Sequence, residues 1–120
     1  MGLPYKQRLH SSREFQYIFK SAIKKQNNGV LLFARKNHFS YPRLGMIVAK
    51  REIPKAVNRN SYKRFIRESF RRNQSILGKY DVIIMVKRQC NILSKANLVE
   101  TLNGLWCELS RRLDPSFQKL

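Results

Sequence analysis

Between Lys50 and Arg72 the chain reads KREIPKAVNRNSYKRFIRESFRR, and no other stretch restricts the fold as much. Glu52-Ile53-Pro54 breaks whatever precedes, and the residues after it keep helical periodicity. At about 100° per residue, Arg59, Lys63, Arg64, Arg67 and Arg71 fall within an arc of roughly 140°. Tyr62, Phe65, Ile66 and Ser69 fall on the opposite arc. A helix with one apolar and one cationic side buries the first against a sheet and turns the second outward. Nine of these twenty-three residues are Lys or Arg. Charge packed this densely is rewarded by a polyanion, and nucleic acid is the first expectation.

The rest of the chain points the same way. Its formal charge is +18 on 120 residues, with 25 basic residues against 7 acidic ones. Self-repulsion on this scale destabilises a compact state unless a partner neutralises it. Membrane surfaces also attract basic chains, but no apolar stretch is long enough to span a bilayer. The N-terminal MGLPYKQRLHSS lacks the apolar core of a secretory signal, and Lys6 stands where a myristoylation signal wants Ser or Thr. The expected location is the cytoplasm, with no membrane partner.

Length and an apolar share of 42% allow one compact core, so residues 1–120 are read as a single domain without a linker. Cys90 and Cys107 lie far apart and outside any metal-ligand spacing. In a cytosolic chain they are expected as reduced thiols packed in the core.

The first helix starts at a capping box, Ser11-Ser12-Arg13-Glu14, and Phe15, Ile18, Phe19, Ala22 and Ile23 carry it forward at helical spacing. The polar run Lys24 to Gly29 ends it. Val30–Lys36 reads as a strand and Asn37–Pro42 as a loop. Arg43–Lys50 reads as a second strand, with Leu44, Met46 and Val48 on one face and Gly45, Ile47 and Ala49 on the other. After the basic helix, which runs to about Asn73, Gly78-Lys79 turns into Tyr80–Val86, a buried strand. Ser94 caps a last helix on which Leu98, Leu102, Leu105, Leu109 and Leu113 repeat, with Pro115 just past its end. The order αββαβα predicts a two-layer α/β (α+β) sandwich with a small mixed sheet, helices covering one face.

Nothing in the chain resembles a protein-borne active site, so no catalytic or metal-binding residue is assigned. Glu14 belongs to the capping box. Glu68 lies one helical turn from both Arg64 and Arg72, where an intrahelical ion pair explains it. No two acids have the spacing of a metal pair, and no Gly-rich phosphate loop occurs.

The stretch Ala56 to Glu68, AVNRNSYKRFIRE, resembles the signature of the bacterial ribonuclease P protein subunit. Ala56, Val57, Arg59, Asn60, Lys63, Arg64, Arg67 and Glu68 match it; Ser61 replaces the family's second motif arginine. The resemblance continues through Arg8-Leu9, Glu14-Phe15, Ile18-Phe19, Arg43-Leu44-Gly45, Lys50-Arg51 and Tyr80 to Ile84, and is weakest over the final helix. It implies a left-handed βαβ crossover with the motif helix between parallel strands, against the usual right-handed rule. It also implies a subunit of an endonuclease that removes the 5′ leader of precursor transfer RNA. The RNA subunit, with its magnesium ions, carries the chemistry; no cofactor is assigned to the protein and magnesium sites on it are left open, and one protein, a monomer by default, is expected per RNA.

The same resemblance implies two RNA-facing surfaces. Arg59, Lys63, Arg64, Arg67 and Arg71 would meet phosphates of the RNA subunit, with Asn60 as a hydrogen-bonding neighbour. Phe15, Phe19, Phe33, Ala49, Lys50 and Arg51 would line the cleft for the single-stranded leader, where aromatic edges stack on bases and cations hold the backbone. Periodicity alone reads Phe15 and Phe19 as core, so each ring is expected to close the core and expose an edge. The rival readings are a ribosomal protein, a generic RNA-binding domain and a protein nuclease.

Overall fold

The computed structural model describes residues 3–92 and 94–113. Helix α1 spans Ser12–Phe19. Its capping box forms as expected: Glu14 N–H donates to Ser11 Oγ (3.2 Å), and Ser11 N–H donates to the Glu14 carboxylate (3.1 Å).

The helix then stops at Phe19, earlier than the spacing through Ile23 predicts. Ile23–Asn27 instead forms strand β1, paired antiparallel with β2, Val30–Lys36. The two strands are joined by Asn28 and Gly29 alone, with φ of 49° and 82°. A two-residue hairpin loop requires positive φ at both positions, and Asn-Gly tolerates it best. β1 is an edge strand, and its polar residues Lys24 to Asn27 suit an edge that must not recruit another chain.

Strand β3 spans Arg43–Ile47, α2 Ala56–Arg72, the short α3 Gln74–Leu77, β4 Tyr80–Val86 and α4 Lys95–Leu113. The order therefore gains one strand and one short helix over the expected αββαβα. The sheet order is β1-β2-β4-β3, antiparallel except for the parallel neighbours β3 and β4, which α2 connects. The mixed α/β sandwich thus keeps the basic helix inside its one βαβ unit.

Two clusters of apolar side chains divide the sheet by its pleat. On one face Val30, Leu32 and Ala34 of β2 and Val82, Ile84 and Val86 of β4 meet Ile66 and Phe70 of α2 and Leu102, Leu105 and Trp106 of α4. The Trp106 indole donates to Ser69 Oγ (2.7 Å), which explains a serine on the buried side of α2. On the other face Phe33, Ile47 and Ile83 meet Leu9, Phe15 and Ile18. Helices therefore lie on both faces, α2 and α4 over one and only the short α1 over the other. The second face stays half open, and that opening positions the site.

Ser94 caps α4, accepting from Asn97 N–H (3.2 Å), and Leu98, Leu102, Leu105 and Leu109 are buried as expected. Pro115 lies outside the described residues. Both cysteines are free thiols; Cys90 is in the core, but Cys107 is exposed, on the solvent side of α4.

Candidate nucleic-acid interface

The buried stripe of α2 runs through Ile66, Ser69 and Phe70. Phe70 lies only about 20° from Arg59 on an ideal helix, so the cationic arc begins at the edge of the core. Its members consequently differ. Arg59 is half-buried and donates to the carbonyls of Ile53 (3.0 Å) and Pro54 (2.8 Å), bracing the turn that enters the helix. Arg64 and Asn60 are exposed and, among the described residues, their side chains make no hydrogen bond or ion pair. Arg71 is exposed but paired with Glu68 (2.5 Å), which Arg72 also approaches (3.4 Å). The hydrogen bond from Arg71 holds the Glu68 carboxyl below the ordinary glutamate range. The expected intrahelical pair thus forms with Arg71 and Arg72 rather than Arg64. Ser61, exposed, turns its hydroxyl back to the Val57 carbonyl (3.0 Å).

Lys63 and Arg67 are half-buried because they lean toward α1. Lys63, His10, Phe15, Phe19 and Ala49 line a cleft of about 540 Å³ between α1 and the end of β3. A smaller cavity of about 240 Å³ shares His10, Phe15 and Lys63 with it and reaches Arg67. The motif helix and the aromatic cleft are therefore one continuous surface, with Lys63 at the seam.

Within the cleft each aromatic ring serves both core and surface. Phe15 and Phe33 are half-buried in the smaller apolar cluster, while Phe19 is 37% exposed. Phe19 stands edge-on to Phe33, ring centres 4.8 Å apart at 90°, and Lys24 Nζ lies 5.9 Å from the Phe33 ring. Phe15 owes its place to Gly45: a Cβ there would meet Phe15 Cζ at 2.6 Å. Lys50 and Arg51 are exposed just beyond Ala49. Rings fixed by packing, with cations at their edges, suit stacking of unpaired bases.

Besides the apolar packing of Phe15 and Ile18, an ionic cluster ties α1 to the sheet. Arg43 donates to both Asp81 carboxylate oxygens (2.8 and 2.7 Å) and to Glu14 (3.0 Å), and Asn37 adds a bond to Asp81 (3.0 Å). Hydrogen bonds from the His10 and Ser11 amides and the Arg43 charge hold the Glu14 carboxyl below its usual range. Glu14 therefore both caps α1 and ties it to β3.

Sequence reasoning missed three features. His10, stacked on Tyr5 at 3.9 Å, lines the cleft from the N-terminal segment. Met46 lines it from β3. Arg35 lies over the Tyr17 ring at 3.8 Å beside the cleft; its alternation with Phe33 on β2 was the available signal. Among the described residues, no group of three or more His, Cys, Asp or Glu side chains is placed to hold a metal ion. No helix of the described residues is long and apolar enough to cross a membrane.

The family model for ribonuclease P matches residues 3–110. The chain is 36% identical over 115 residues to the ribonuclease P protein component of Methylococcus capsulatus, covering 96% of this chain and 90% of that protein. Against the same component of Chromohalobacter salexigens it is 37% identical over 119 residues, covering 98% and 90%. Among solved structures it resembles the RNase P protein of Staphylococcus aureus, with TM-score 0.77, 26% identity and 82% and 90% of the two chains covered. The RNase P protein of Thermotoga maritima is similar at TM-score 0.73 and 32% identity, covering 82% and 94%.

Proposed function

The chain belongs to the ribonuclease P protein family, and we propose that it binds the catalytic RNA of that endoribonuclease with α2 and the 5′ leader of precursor transfer RNA in the aromatic cleft. The observation that carries this reading is the continuity of the two surfaces through Lys63. A single strand leaving an RNA docked on α2 passes directly onto the exposed edge of Phe19. Arg64 faces outward without a partner among the described residues, with the Asn60 amide beside it, so a phosphate meets a cation that need not first break an internal pair.

Chemistry in this scheme stays with magnesium ions held by the RNA. Glu14, Glu52, Glu68, Asp81 and Glu108 are each within salt-bridge distance of a Lys or Arg. Carboxylates so occupied structure the protein rather than gather around a metal ion. The protein's contribution is to bind, to orient the leader and to lower the magnesium that assembly demands by neutralising phosphates. One protein on one RNA in the cytoplasm is the working stoichiometry and location.

The test is cleavage of precursor transfer RNA at low magnesium with a bacterial ribonuclease P RNA alone, the protein alone, and both. Activity only of the pair is expected. Cleavage by the protein alone would replace this reading with a protein nuclease, and no activity from the pair would leave a basic RNA-binding domain. Phe19→Ala should weaken binding of precursor far more than of mature transfer RNA. Equal loss on both would remove the leader from the cleft.

A further inference from the structure

Only 7 acidic residues stand against 25 basic ones in this chain, and one of them, Glu68, lies inside the cationic helix. Arg64 precedes it by four residues, and Arg71 and Arg72 follow it by three and four. All three positions are within reach of its carboxylate, since residues three and four apart are neighbours on a helix surface. The carboxylate turns one way only. Its Oε1 accepts from Arg71 Nη2 (2.5 Å) and lies 3.4 Å from Arg72 Nε. Arg64 is left exposed and without a partner among the described residues. Helix α2 thus carries two kinds of cation. Lys63, Arg64 and Arg67 are paired with no carboxylate among the described residues, whereas Arg71 and Arg72 share one. The shared pair begins about 10 Å further along the helix axis than Arg64.

An ion pair this exposed contributes little to folding. Arg71 and Arg72 also occupy the last turn of α2, where the helix dipole favours cations without help from an acid. The larger effect of the carboxylate is therefore on what these two arginines can bind. A phosphate arriving at either must displace Glu68 and then lie beside a like charge. That matters for a chain of net charge +18, which attracts any RNA by releasing counterions. Competing RNA is abundant, so recognition depends on the ratio of specific to non-specific binding rather than on affinity alone. An RNA held only by charge loses two contacts on α2. An RNA seated by shape on the turns around Arg64 loses none.

We infer that Glu68 is a specificity residue, which withholds Arg71 and Arg72 from phosphates and confines the RNA footprint on α2 to the turns carrying Lys63, Arg64 and Arg67. Arg71, expected among the phosphate contacts, is thereby held out of that set. The inference rests on the reading of α2 as the face for the RNA subunit and deepens it, because it assigns discrimination to an acid rather than to a further cation.

The experiment titrates the full chain, across a salt series, with a bacterial ribonuclease P RNA and with a plain RNA duplex, which has no single strand to enter the aromatic cleft. Glu68→Gln should tighten the duplex about fivefold and leave the ribonuclease P RNA nearly unchanged. Its salt slope on the duplex should steepen by about two phosphate contacts. Adding Arg71→Gln and Arg72→Gln should abolish that gain, whereas the same two substitutions beside an intact Glu68 should alter duplex binding little. Glu108→Gln makes the same change in net charge on α4, beside Lys25 (3.2 Å), and should tighten neither RNA. The inference is overturned by a Glu68→Gln variant that leaves the duplex as wild type, tightens both RNAs equally or is matched by Glu108→Gln. A Glu68→Gln variant that merely melts lower, with both affinities intact, overturns it too and marks an ordinary stabilising pair. Should that variant not fold, the Arg71→Gln/Arg72→Gln variant decides: duplex affinity lost beside an intact Glu68 means that the arginines were never withheld. A wild type that binds both RNAs alike overturns the α2 reading itself, and the role of Glu68 with it.

Discussion

Arg43 and Asp81 face each other directly across the parallel pair β3–β4, with the guanidinium laid against both carboxylate oxygens. Asp81 is 3% exposed, and the third arm of the fork leaves this pair to reach Glu14 on α1. One side chain therefore joins the βαβ unit to the helix that forms the cleft.

Removing either partner leaves the other charged in a nearly dry place. Asp81→Ala and Arg43→Met are expected to cost roughly 3–5 kcal/mol of unfolding free energy, measured by urea titration. Arg43→Lys should recover only part of that loss, because an ammonium cannot bridge two oxygens of Asp81 and Glu14 at once. A lysine variant as stable as wild type would show that the bidentate geometry contributes nothing.

Gly45 gives the cleft its own test. A methyl at this position meets Phe15 Cζ at 2.6 Å and Leu9 Cδ1 at 3.0 Å, so the ring must move toward the opening. Gly45→Ala should lower stability by about 1–3 kcal/mol through overpacking. In the holoenzyme its main effect should be on precursor transfer RNA, with affinity for the RNA subunit nearly unchanged. Comparable losses in both would mean that Phe15 does not shape the leader's path.

These positions show how far the sequence could be read. The strands β2 and β4 and the helix α2 were legible because burial imposes periodicity, and their ends fall where expected. β1 was not, because an edge strand of Lys24 to Asn27 carries no apolar alternation, and Ala22 and Ile23 fit a helix as well as a strand. The one local signal was Asn28-Gly29, read as the end of a helix when it is the turn of a hairpin. On α2, spacing ordered the cations around the axis but could not say where the core begins. Phe70 decides that, and its burial against Trp106 depends on a helix more than thirty residues away. Arg59 is consequently tied to the turn that enters the helix, while Lys63 lies at the seam.

That division predicts opposite phenotypes for two arginines of one motif. Arg64→Ala removes an exposed, unpaired charge, so melting should stay within about 0.5 kcal/mol of wild type. Its effect should appear as a salt dependence of RNA-subunit binding shallower by about one phosphate contact. Arg59→Ala unties the carbonyls of Ile53 and Pro54 and should cost about 1–3 kcal/mol in stability, with a smaller change in salt slope than Arg64→Ala. Swapped phenotypes would reverse the roles assigned here.

Glu14 supplies a pH test whose sign is fixed by its surroundings. The His10 and Ser11 amides and the Arg43 charge hold its folded-state pKa below the ordinary value of 4.5. Its ionised form is therefore favoured by folding. The stability it contributes is fully present above pH 4.5 and is lost as pH falls through the folded-state value. Glu14→Gln preserves a side chain able to complete the capping box but removes the charge facing Arg43. At neutral pH the substitution should cost about 1 kcal/mol, the scale of a partly exposed ion pair. Wild type and variant should converge only once pH has fallen through the lowered folded-state value, where the wild-type carboxyl is neutral as well. Glu52 and Glu68 are also lowered and titrate in the same acid range, so both proteins should still lose stability there; only the gap between them reports Glu14. A gap that stays constant through the acid limb of a thermal-melt series would show that the Glu14 charge is not coupled to folding.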